Sequence, residues 1–147
     1  MTEQEQPTTP EPAADVKSLD RLVGTWNVTG GAQGQVRYEW LDGGFFLVQH
    51  VDLEQDGQQI KGIEVIGHER PFGGEPSADI RSRFYGNMGD TLDYVYELAE
   101  DTLTIWAGEK GSPAFYQGKF NAAGDSCTGS WVYPGGGGYD STMTRAA

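Results

Sequence analysis

The sequence predicts an all-β fold: a single antiparallel up-and-down barrel of about ten strands. Three observations carry that expectation. Twenty-two glycines punctuate short runs rich in β-branched and aromatic residues. No long helical periodicity appears after Val23. Finally, the registers read from successive turns place one continuous apolar face through all the runs, and sheets of about this many strands usually curl or close.

The chain starts with an acidic stretch. Residues 1–15 hold Glu3, Glu5, Glu11 and Asp15, no base, three prolines and almost nothing apolar to bury, so they read as a disordered tail preceding a domain over 16–147. Val16 to Leu22 then fits about one or two helical turns, with Leu19 and Leu22 facing in. Asp42-Gly43 is a hairpin signal because both positions accept positive φ. It pairs Trp40 with Phe45, Tyr38 with Leu47 and Val36 with Gln49. Asp56-Gly57 gives the next hairpin, with Leu53 opposite Ile60, Val51 opposite Gly62, Gln49 opposite Glu64, Leu47 opposite Ile66 and Phe45 opposite His68. Both turns select the same inner face. Asp52 and Lys61 meet on the other one as a solvent-facing ion pair.

The stretch Asp79 to Leu98 reads as a hairpin turning at Met88-Gly89, which sets Tyr85 opposite Leu92, Arg83 opposite Tyr94 and Arg81 opposite Tyr96. Side chains alternate along a strand, so these six residues share one face, and Phe84, Ser82, Ile80, Asp93, Val95 and Glu97 share the other. A turn at Glu100-Asp101 pairs Leu98 with Leu103 and Tyr96 with Ile105. Another, from Ala122 to Asp125, pairs Phe120 with Cys127 and Tyr116 with Trp131, leaving Lys119, Thr128, Gln117 and Ser130 outside. The last strand carries Tyr139, Ser141, Met143 and Arg145 on its inner face. Trp106, Phe84, Val95, Val132 and Phe115 form an outer apolar surface.

Gly24-Thr25-Trp26 on the first strand, with Arg145 on the last, resembles the lipocalin and calycin superfamily. That resemblance implies that Arg145 covers Trp26 at a closed end of the barrel. Gly62-Ile63-Glu64-Val65-Ile66-Gly67 followed by Gly86-Asn87-Met88-Gly89 resembles an uncharacterised bacterial family of lipocalin-like barrels. Ten strands with interior arginines and tyrosine are also similar to fatty-acid-binding proteins, but Gly30 to Gly34 is too short for their helical lid.

A net charge of −12 argues against nucleic acid and anionic membrane surfaces as partners. One cysteine excludes an internal disulfide framework, and no segment reads as a signal peptide or membrane span, so a cytoplasmic setting is expected. Neither a cofactor nor a metal is expected: His50 and His68 fall on opposite faces, and no histidine follows His68. The function expected is binding of a small apolar or aromatic, anionic molecule inside the barrel. Its site would be Arg81, Arg83, Tyr85, Tyr94 and Tyr96, with Tyr38, Trp40, Gln49, Tyr116 and Trp131 completing the walls. The arginines have two other readings: pairing with an interior Glu64, or facing outward if the hairpin register is inverted. Two functional alternatives stand beside ligand binding. One is a cofactor-independent cyclase or isomerase using His68 and Glu64 as acid and base. The other is a filled barrel forming a homodimer through its outer apolar surface. Cys127 reads as a small buried residue.

Overall fold

The computed structural model describes residues 10–146. A short helix α1 (Ala14–Lys17) and a 3-10 turn (Ser18–Leu22) lead into ten strands: β1 (Gly24–Gly30), β2 (Gln33–Trp40), β3 (Phe46–Gln55), β4 (Gln58–Gly67), β5 (Ile80–Gly86), β6 (Thr91–Ala99), β7 (Thr102–Ala107), β8 (Phe115–Phe120), β9 (Ser126–Val132) and β10 (Tyr139–Arg145). Each strand pairs antiparallel with the next, and β10 pairs back onto β1, so the sheet is a closed barrel. Closure satisfies every strand edge.

Most expected registers are the observed ones. Asp56 and Gly57 both take positive φ and set Leu53 opposite Ile60 and Gln49 opposite Glu64. Leu98 meets Leu103, Tyr96 meets Ile105, Tyr116 meets Trp131 and Phe120 meets Cys127. The β2–β3 connection differs. Its positive-φ pair is Gly43-Gly44, and Leu41 N–H donates to Phe46 O, so the loop is longer than a two-residue turn. Trp40 therefore faces Leu47 and Tyr38 faces Gln49, a shift of two residues. An even shift preserves which face each side chain takes, so the inner row survives. Phe45 and His68 both lie beyond the β3–β4 ladder.

The β5–β6 hairpin is displaced by one residue. Gly86 N–H donates to Asp90 O, Tyr85 pairs with Thr91, Phe84 with Leu92, Ser82 with Tyr94 and Arg81 with Val95. An odd shift exchanges faces. Ile80, Ser82 and Phe84 are buried, while Arg81, Arg83 and Tyr85 belong to the outer surface. The expected outer apolar surface thus loses Phe84, but Val95 still pairs with Trp106, Trp106 with Phe115 and Phe115 with Val132.

The 3-10 turn plugs one end of the barrel. Leu19 and Leu22 are fully buried there, and Leu22 O accepts a hydrogen bond from Trp26 Nε1 at 2.8 Å. Arg145 lies over the Trp26 ring at 4.3 Å, as the superfamily resemblance implies. Its guanidinium donates to Arg21 O (2.6 Å), Val23 O (2.7 Å) and Gly124 O (3.3 Å). Trp26 meets Phe120 edge-on, and Arg21 lies over the Phe120 ring at 4.4 Å. This end is sealed.

The N-terminal segment is ordered further back than expected. Asp15 sits within α1 and reaches His68 Nε2 at 2.9 Å. Of the rest of the expected tail, residues 10–13 precede α1 without regular secondary structure and residues 1–9 lie outside the described residues.

Candidate functional site

Opposite the sealed end, the interior holds a cavity of about 280 Å³. Its size follows from side-chain choice along the inner rows. Val28, Val36, Val51 and Ile105 are short. Gly118 on β8 leaves room for the Tyr116 phenol, since a Cβ there would stand 2.2 Å from its oxygen. The walls are aromatic: Trp131 contacts Tyr116 at 5.5 Å and Tyr94 at 5.9 Å between ring centres, and stacks on Tyr133 at 6.1 Å. Ala32, Gln55, Ile60, Leu92, Tyr133 and Tyr139 surround it towards the end carrying the β1–β2, β3–β4, β5–β6 and β9–β10 turns.

Of the residues expected to line the site, Tyr38, Gln49, Tyr94, Tyr96, Tyr116 and Trp131 do so. Four do not. Arg81 pairs with Glu109 at 3.0 Å, Arg83 pairs with Asp93 at 2.7 Å, and Tyr85 is about half exposed; all three stand outside because of the one-residue register displacement. Trp40 packs towards the sealed end, its Nε1 donating to Asp20 Oδ1 at 2.8 Å. The cavity lining contains no arginine, lysine or histidine. Neither arginine neutralises Glu64.

Glu64 is the charged residue of the interior. It is 5% exposed, and Ser82 Oγ and Tyr96 OH both donate to its Oε2, at 2.5 and 2.8 Å. Burial pushes its carboxyl above the usual range, and the two hydrogen bonds only partly oppose that rise. The surrounding phenols are held neutral. Tyr38, Tyr94 and Tyr96 are all raised, first by burial and then by the nearby Glu64 charge. Tyr139, towards the open end, is pushed up to about 12, chiefly by burial. Every one of these hydroxyls is therefore a hydrogen-bond donor at neutral pH.

His68 does not join Glu64. It lies past the end of β4, with Nδ1 2.6 Å from Ser77 O and Nε2 2.9 Å from the Asp15 carboxylate. Both partners are acceptors, so the arrangement favours the doubly protonated ring over either neutral tautomer. Burial works against that charge, but the bonds to Asp15 and Ser77 outweigh it, leaving the His68 pKa raised. Its geometry is that of a tie between α1 and the β4–β5 loop. The expected acid–base pair is not assembled.

No protein-family model matches the chain, and no curated protein matches its sequence. The site must be read from its own chemistry. Cys127 is fully buried, with Tyr116 OH 3.7 Å from its Sγ, and burial raises its thiol. Thiols of that kind are inert. Phe84, Tyr139, Ser141 and Met143 also line the cavity, and Ser82 stands behind Glu64 as its hydrogen-bond donor. For Ser82 and Phe84 a signal was present. Ile80-Ser82-Phe84 against Arg81-Arg83-Tyr85 is an apolar-in, charged-out alternation that favours the observed parity on its own.

Proposed function

We propose that this barrel binds one small, largely apolar or aromatic molecule in its interior. The supporting observation is the cavity of about 280 Å³, sealed at one end and lined by aromatic and aliphatic side chains with a few polar groups among them, the usual make-up of a small-molecule pocket. That volume lies near the lower end of the range for small-molecule pockets, which suits a single ring with a short side arm. The anionic character expected of the ligand rested on Arg81 and Arg83, and with both outside it has no support. The enzyme alternative rested on His68 beside Glu64 and loses its basis in the same way. A filled barrel acting only through its outer surface fits poorly with an interior this open. Kinship with the lipocalin and calycin superfamily is part of this reading. It is favoured by the Arg145–Trp26 contact and the ten-strand closure, and a cytoplasmic setting goes with the lone free cysteine.

The test is titration of the purified protein with small aromatic compounds, followed by quenching of tryptophan fluorescence, beside native mass spectrometry of protein from its own host. Val51→Trp, which projects an indole into the cavity, should abolish quenching while the protein stays folded. Equal quenching in both proteins would place binding outside the barrel and overturn the reading.

A further inference from the structure

The interior carboxyl is asymmetrically served. Ser82 and Tyr96 both donate to Glu64 Oε2, whereas Oε1 takes no hydrogen bond among the described residues. Among those residues no fully buried side-chain nitrogen or oxygen lacks a partner. Oε1 therefore opens onto the cavity that Glu64 lines. A carboxylate in that position asks for a donor, and a buried charge asks for a counter-charge.

The described residues supply no counter-charge to this carboxylate. Arg81 and Arg83 are engaged by Glu109 and Asp93 on the outside, Lys110 by Glu97, and Arg21 and Arg145 serve the sealed end. The cavity onto which this oxygen opens is lined by the rings of Tyr38, Tyr94, Tyr96, Tyr116 and Trp131, and the electron-rich faces of such rings attract cations. A net charge of −12 draws cations towards the molecule from solution.

We propose that Glu64 is the recognition group of this cavity and that the preferred ligand is a small aromatic amine, bound as its ammonium ion on Oε1. The assignment rests on the reading of the barrel as a small-molecule pocket. Ser82 and Tyr96 hold the carboxylate in place through Oε2 and leave Oε1 aimed at the ligand. The rings then enclose the aromatic part and share the cation. Of the possible occupants of an apolar cavity, a carboxylate is disfavoured by repulsion from Glu64, and a neutral alcohol gains one hydrogen bond without the charge.

Three probes of one shape separate these cases: 2-phenylethylamine, 2-phenylethanol and phenylacetate, titrated against the full chain by calorimetry at neutral pH. The amine should bind about tenfold or more tighter than the alcohol, the margin expected of a charge-assisted over a neutral hydrogen bond, with phenylacetate weakest. In Glu64→Gln the amine's advantage should vanish, with alcohol affinity held within about threefold. Amine and alcohol binding equally to wild type, or phenylacetate binding best, would overturn the amine assignment and leave the pocket standing. Failure of all three to bind at about 10 mM would overturn the pocket itself. If Glu64→Gln does not fold, the wild-type ratio of amine to alcohol decides alone by the same tenfold margin.

Discussion

The guanidinium of Arg145 lies over the Trp26 ring, 4.3 Å from its centre, and donates to three backbone carbonyls, Arg21 O and Val23 O at the sealing segment and Gly124 O in the β8–β9 turn. The last strand thereby locks the first, and both lock the 3-10 turn that plugs the barrel. Trp26 is fully buried, but the outer side of Arg145 meets solvent, which limits what the contact contributes. Arg145→Ala should cost about 1–2 kcal/mol through lost packing and unsatisfied acceptors. Arg145→Lys should recover less than half of that, because a point ammonium cannot bridge carbonyls set around a planar fork. Urea midpoints of the two variants, compared with wild type, measure both effects.

The tie between His68 and Asp15 should weaken with rising pH. The folded protein holds the His68 proton more tightly than the unfolded chain does, where the ring titrates near about 6.5. Its stabilisation is therefore complete below that pH and disappears as pH climbs through the raised folded value. Half of Asp15 is exposed, so the expected size is only about 0.5–1 kcal/mol. Asp15→Asn should lower the melting temperature at pH 6 and leave it close to wild type at pH 9. A difference independent of pH would show that packing, not charge, holds the segment.

Glu64 behaves in the opposite sense. Burial raises its folded pKa, so the native state binds more protons than the unfolded chain between the unfolded value, about 4.3, and the raised folded one. In that window stability falls as pH rises. Glu64→Gln keeps an oxygen to accept from Ser82 and Tyr96 and removes the desolvated charge. Without ligand, the variant should outlast wild type in urea at pH 7, and the gap should close as pH approaches 4. A variant less stable than wild type at neutral pH would mean that an unrecognised counter-charge serves the carboxylate.

Arg83 should matter little to the interior. It stands about half exposed against a similarly exposed Asp93, and ion pairs of that kind contribute about 0–1 kcal/mol. Arg83→Met should shift the urea midpoint by no more than that and leave binding of any cavity probe unchanged. A loss of probe affinity would restore the inward parity of β5.

Gly118 controls the cavity's depth. Its missing Cβ is filled by the Tyr116 phenol, and an added methyl would stand 2.2 Å from that oxygen. Gly118→Ala should push Tyr116 away from Cys127 and into the cavity, costing about 1–3 kcal/mol as overpacking. Tryptophan emission should change as well, because Trp131 packs on Tyr116. Unchanged stability and emission would mean that the ring has another place to go.

By itself, the sequence determined the all-β class, the strand count and the inward face of β2, β3, β4 and β6 to β10, with the registers between them off only by an even step. The reason is local: Asp56-Gly57 accepts positive φ at both positions, and buried residues such as Val36 and Tyr38 or Leu103 and Ile105 stand two apart along runs too short for long helices. Even where Gly43-Gly44 replaced the expected turn, the slip was two residues and the inner row held. The tertiary structure decided everything that depends on an odd step or a distant partner. Gly86 bonding to Asp90 turned β5 over, put Arg81 and Arg83 outside and brought Ser82 to Glu64, 18 positions away in the chain. His68 was claimed by Asp15, 53 positions earlier, because the chain leaves the ladder at Gly67. One residue of register inverts a strand's faces at almost no local cost, and here the local signals disagree: the alternation of Ile80, Ser82 and Phe84 with Arg81, Arg83 and Tyr85 favours one parity and a turn centred on Met88-Gly89 the other. Only the surrounding elements make one of them lower in energy: β4 and β6 give Ser82 and Phe84 an interior, and Asp93 on β6 and Glu109 in the β7–β8 loop pair with the arginines.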